Sequence, residues 1–181
     1  TGYDHVLFLL SLLFVAGVTA RVRGRRRAIA DTAWVITAFT LGHSITLALA
    51  ALEVVALPSR WVESVIAVSI VVAALLNFAK PSQATGKSRR WLALAFGLIH
   101  GFGFSSVLAD VGLPASERVI ALAAFNVGIE VAQLGVVLLA IPLLAWLARR
   151  EQLYRRAVMH AGSLAIAALA AKRLALGAID T

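Results

Sequence analysis

Thr32-Ala-Trp-Val-Ile-Thr-Ala-Phe-Thr-Leu-Gly-His-Ser-Ile-Thr-Leu-Ala-Leu-Ala-Ala-Leu52 lies between Asp31 and Glu53 and carries no formal charge. At about 1.5 Å per helical residue a run of this length covers about 30 Å, the thickness of a bilayer's hydrocarbon core. Polar side chains do not alternate along it as they would on a barrel strand. The stretch reads as a transmembrane helix. Five further apolar runs flank it, over residues 3–20, 61–79, 91–109, 118–147 and 154–176. The first is short enough that its true start, or one more helix, is expected upstream. The last is Ala-rich and carries Lys172 and Arg173 near its end. The expected fold is all-α: a single polytopic domain over residues 1–181, a transmembrane bundle of about six helices.

Composition agrees with that reading. The chain is 61% hydrophobic and 14% charged, with a mean hydropathy of +0.90, whereas a soluble domain is about half apolar and about a quarter charged. The absence of cysteine excludes disulfides and thiolate metal sites. A net charge of +8 suggests nucleic acid only until the basic residues are located. Arg21, Arg23, Arg25, Arg26 and Arg27 fill the first loop. Lys80, Lys87, Arg89 and Arg90 fill the third, and Arg149, Arg150, Arg155 and Arg156 the fifth. These are 13 of the 17 Lys and Arg, while the second and fourth loops hold only Arg60 and Arg118. Short loops rich in Lys and Arg stay in the cytoplasm, so both visible termini are expected on the other side of a bacterial inner membrane. The expected partner of the basic loops is the lipid bilayer, not nucleic acid. No basic n-region or cleavage site precedes the first apolar run, so it is not read as a signal peptide, and the chain is expected to be the membrane part of something longer.

Ionisable side chains inside such spans are costly and call for a partner or a function. The second span is centred near His43 and the fourth near His100, and Glu130 lies about 18 Å along the fifth from Arg118. All three therefore fall near mid-membrane, and they are expected to share one cavity between the second, fourth and fifth spans. Asp4, His5 and Glu63 lie at the opposite ends of their spans from the arginine clusters. Asn126, Glu130 and Gln133 form one helical stripe, and Thr40, His43 and Thr46 another. Gly97 and Gly101 make a small-x-x-x-small pattern that lets a neighbouring helix approach the His100 segment. Carboxylate and imidazole without thiolate are ligands for borderline divalent metals. The candidate metal-binding set is Asp4, His5, His43, His100, Glu130, Asn126 and Glu63. All but Glu130 have a plainer reading: a helix cap for Asp4 followed by an interfacial His5, a dipole partner for Glu63, interhelical hydrogen bonds for His43, His100 and Asn126.

Four stretches taken in order resemble the HupE/UreJ family of membrane metal permeases. They are Gly2-Tyr-Asp4-His5-Val-Leu-Phe-Leu-Leu, Phe39-Thr-Leu-Gly-His43-Ser44-Ile-Thr46-Leu, Phe96-Gly-Leu-Ile-His100-Gly101-Phe-Gly103-Phe and Phe125-Asn126-Val-Gly128-Ile-Glu130-Val-Ala-Gln133. The segment Val62-Glu63-Ser-Val-Ile-Ala-Val-Ser69-Ile is similar to the family's third helix. The family's first motif begins with His-Pro shortly before Gly-x-Asp-His, at positions that would precede Thr1. The resemblance implies uptake of nickel, or cobalt, by a secondary permease that supplies nickel enzymes.

The expected function is transport of a divalent cation, Ni²⁺ or alternatively Co²⁺ or Zn²⁺, as substrate, with no nucleotide-binding motif to make ATP the direct energy source. Self-association into a homo-oligomer is compatible with it. Two alternatives use the same residues: an intramembrane zinc hydrolase, and a metal-binding membrane subunit that does not transport. The first lacks a His-Glu-x-x-His helix and a Gly-x-Ser-x-Gly elbow around Ser105 and Ser106. The second has no need of buried ligands.

Overall fold

The computed structural model describes residues 2–78, 86–104 and 115–179, and among these all secondary structure is helical. The helices are α1 (Gly2–Arg23), α2 (Arg25–Ala51) and α3 (Ser59–Leu75, extended by a 3₁₀ turn Leu76–Phe78). Next come α4 (Gly86–His100, extended by a 3₁₀ turn Gly101–Phe104) and α5 (Ala115–Leu147). The last helix, α6, is continuous through Glu151–Leu153, a π-helical stretch Tyr154–Ala161 and Gly162–Ile179. Five stretches are long and apolar enough to cross a bilayer: Asp4–Arg23, Arg25–Ala51, Ser59–Phe78, Glu117–Leu147 and Glu151–Ala175, with mean hydropathies of 1.2 to 2.2. The described part of the fourth span, α4 with its 3₁₀ turn, is shorter, and the rest of the expected 91–109 span lies outside the described residues.

Five of the six expected spans hold, and their boundaries move. The first basic loop is not a loop: α1 runs to Arg23 and α2 begins at Arg25, with Gly24 alone between them at φ 89°. A positive φ of this kind is readily adopted only by glycine, so one residue reverses the chain inside a row of arginines. Pro58 caps α3 as its position before the third span suggested. α5 continues through Pro142. Pro81 and Pro114 lie outside the described residues.

The bundle is held by three kinds of contact. α2 and α4 touch backbone to backbone: a Cβ on Gly97 would overlap the Phe39 carbonyl, one on Gly42 the Leu94 carbonyl, and one on Gly101 the His43 carbonyl and the Thr46 hydroxyl. This is the small-residue packing expected of Gly97 and Gly101. Apolar layers fill the other interfaces. Leu9, Leu13 and Ala16 of α1 pack with Ala28 and Ile36 of α2 and Val137 and Ile141 of α5, and Val62, Ile66, Ile70 and Ala74 of α3 pack on Ile166 and Ala170 of α6. Buried polar ties complete it: Asn77 Nδ2 donates to the Ser11 carbonyl, the Ser11 hydroxyl and the Ser163 hydroxyl, joining α1, α3 and α6.

Large apolar side chains such as Leu41, Ile45, Val131, Leu138 and Leu139 cover the outside of the bundle, which suits contact with lipid. Trp34, Trp91 and Trp146 are exposed towards the arginine-rich end and Trp61 at the other, the placing typical of an interfacial aromatic belt. At the arginine-rich end Arg21 of α1 bonds Glu151 at the start of α6. At the opposite end Arg173 bonds Asp4, so the start of α1 and the end of α6 lie together.

Candidate functional site

Three imidazoles meet between α1, α2 and α4. The His5 ring centroid lies 5.2 Å from that of His43 and 5.7 Å from that of His100, both edge to face. His43 is 2% and His100 1% exposed. The helices that carry these two rings are the pair in backbone contact, so the glycines set the distance between their imidazoles. Phe8 and Phe39 stack on each other at 4.7 Å and lie 5.8 and 5.2 Å from the His100 ring, and Phe96 closes on Phe8 at 5.9 Å. The cluster is therefore an imidazole group in an aromatic box.

Its hydrogen bonding is incomplete. The Ser69 hydroxyl of α3 lies 2.7 Å from the Ile66 carbonyl and 2.8 Å from His100 Nε2. A hydroxyl has one proton; given to the carbonyl, it leaves Nε2–H to donate to Ser69 Oγ and the lone pair on Nδ1. His100 Nδ1 and both ring nitrogens of His43 are buried with no hydrogen-bond partner among the described residues, as is the Thr40 hydroxyl one turn from His43. A buried polar atom without a partner costs about 1–3 kcal/mol, and a metal ion is one thing that relieves it. The rings as they stand face each other edge-on, and among the described residues no three His, Asp or Glu side chains close on one metal-sized point.

Of the remaining candidates, Asp4, Glu130 and Asn126 have other partners. Asp4, one residue before His5, is held by Arg173. Glu130, expected beside His43 and His100, accepts a hydrogen bond of 2.6 Å from Thr37 across the α2–α5 interface, and the third member of the imidazole group is His5. Asn126 donates to the Leu122 carbonyl of its own helix, and its Oδ1, like Gln133 Oε1 on the same stripe, is buried without a partner among the described residues. Glu63 is exposed on α3. Ser44 and Thr46 bond back to carbonyls of α2 as expected of hydroxyls in a helix; Ser105 and Ser106 lie outside the described residues. His160 stacks on Phe78 at 5.1 Å.

Three partners are not marked by the sequence. Ser69 is one hydroxyl in an apolar helix, Thr37 lies off the Thr40–His43 stripe, and Arg173 lies near the end of the last span. A positive charge near the end of an apolar helix was the one signal available, because a buried carboxylate elsewhere has to find its counter-ion.

The family model described as HupE / UreJ protein matches residues 1–175. No curated protein and no solved structure matches the chain. The chain belongs to the HupE/UreJ family, a transporter-type family associated with nickel and cobalt transport, which supports a membrane metal permease in coarse terms.

Proposed function

We propose that this member of the HupE/UreJ family is a secondary permease for a divalent transition-metal cation, nickel or cobalt, in a bacterial inner membrane, and that His5, His43 and His100 are its central ligands. The observation that carries the proposal is the meeting of three imidazoles from three helices, with His100 Nδ1 and both ring nitrogens of His43 lacking a hydrogen-bond partner among the described residues. Neutral imidazole with carboxylate and retained water suits Ni²⁺ and Co²⁺; Zn²⁺ takes the same donors. In this reading Asp4 and Glu63 stand at the mouth away from the arginine clusters and draw the hydrated cation in. Small rotations of the three rings then aim their nitrogens at one ion. Glu130 and Asn126, on the α2–α5 seam, line the way beyond it.

The test is calorimetric titration of purified protein with Ni²⁺, Co²⁺ and Zn²⁺, alongside metal accumulation in cells. His43→Ala and His100→Ala each remove one ligand from a place where no other side chain substitutes. Even changes one shell further out cost about 10–100-fold in affinity, so both variants should lose binding by more than that and lose accumulation, while helical content stays. Wild-type affinity in either variant would end the proposal.

A further inference from the structure

The buried carboxylate at the mouth is already occupied, by part of the protein. Arg173 Nη1 lies 2.5 and 2.6 Å from the two oxygens of Asp4, across 169 residues of sequence. The pair is lopsided: the Asp4 side chain is 9% exposed and that of Arg173 37%. A carboxylate this buried cannot be left without a counter-charge cheaply, whereas a half-exposed guanidinium on a long stem can leave for water or lipid headgroups. Nη1 takes both oxygens, and a second cation drawn to the same carboxylate would be repelled by it at close range. The two cations compete.

We infer that Arg173 is the internal competitor of the transported dication for Asp4, a positioning residue that sets how strongly an ion must bind before the mouth opens. The inference rests on reading Asp4 and His5 as part of the metal pathway. A monovalent ion gains nothing over a tethered single charge. A dication brings twice the charge to the carboxylate and, through adjacent His5, an imidazole bond that a guanidinium does not make. Displacing Arg173 also unties the start of α1 from the end of α6, so metal arrival and helix release are one event.

The experiment titrates Ni²⁺ into wild type, Arg173→Gln, Arg173→Lys, Asp4→Asn and the Asp4→Asn/Arg173→Gln double variant, and measures uptake KM for each. Removing the competitor should tighten Ni²⁺ binding by ~5-fold or more, the scale of ordinary coupling between sites, with a matching fall in KM. Arg173→Lys, which keeps the charge and loses the planar donor, should fall between. Asp4→Asn should weaken binding, and the double variant should match it, because a competitor matters only while its carboxylate is present. A merely structural ion pair gives the opposite sign: Arg173→Gln then binds no more tightly than wild type, and that result overturns the inference. Should Arg173→Gln fail to accumulate, unchanged or weaker binding by Arg173→Lys overturns it equally. Failure of the underlying reading is separate, since wild type would then bind no dication, or His100→Ala would bind as wild type does.

Discussion

With the Ser69 proton given to the Ile66 carbonyl, His100 donates through Nε2 and leaves Nδ1 with its lone pair. Ser69→Ala removes the acceptor and frees the ring to turn and to change tautomer. Loss of a group that orients a ligand costs about 10–100-fold in metal affinity, and the orphaned N–H costs about 1–3 kcal/mol of stability. Titration of Ni²⁺ together with thermal unfolding measures both; unchanged affinity would mean that Ser69 only serves its own helix. Glu63→Gln is the control at this scale. Its side chain is on the exposed face of α3, so binding to the imidazole cluster should persist while uptake at low metal concentration slows. A loss of binding as large as that of His100→Ala would instead put Glu63 among the ligands.

The glycines of α2 and α4 make the strongest prediction about elements. Gly97→Val would drive a side chain into the Phe39 carbonyl, and overpacking of this kind typically costs about 1–3 kcal/mol. Because the same two helices carry His43 and His100, metal affinity should fall with stability. Gly128→Ala meets nothing within 4 Å and exchanges a poor helix former for the best one; it should be neutral or stabilising by up to about 1 kcal/mol in a denaturation series. Equal damage from both would refute the backbone contact. Element existence was legible because apolar length is local information, and so was the common level of His43 and His100, which both meet His5. Azimuth was not. Glu130 was expected level with His43, yet its partner is Thr37, six residues away along α2, and that depends on which neighbour α5 packs against. The Gly24 reversal, the π-helical stretch of α6 and the Asp4–Arg173 pair depend on contacts between distant parts of the chain. A lone glycine among arginines and a charge near a helix end are the only local traces of the first and the last.

At the scale of the whole molecule, the arginine clusters gather at one end and Asp4, Arg173 and Trp61 at the other. The positive-inside rule assigns the first end to the cytoplasm. The chain has no cysteine, so single cysteines introduced for Arg25, Lys87 and Ser59 report directly: the first two should label only from the cytoplasmic side, the third only from outside. Labelling of all three from one side would refute the six-span arrangement. The glycine contact has a mechanical consequence for a bundle oriented in this way. Two helices in backbone contact do not slide past each other without breaking it, so α2 and α4 act as the fixed jaw of a vice, with His43 and His100 set in it. α1, tied to α6 by an ion pair at each end, carries His5. On the function proposed above, a step back by α1 alone would take one of three grips off the ion, and the other two would stay where they are.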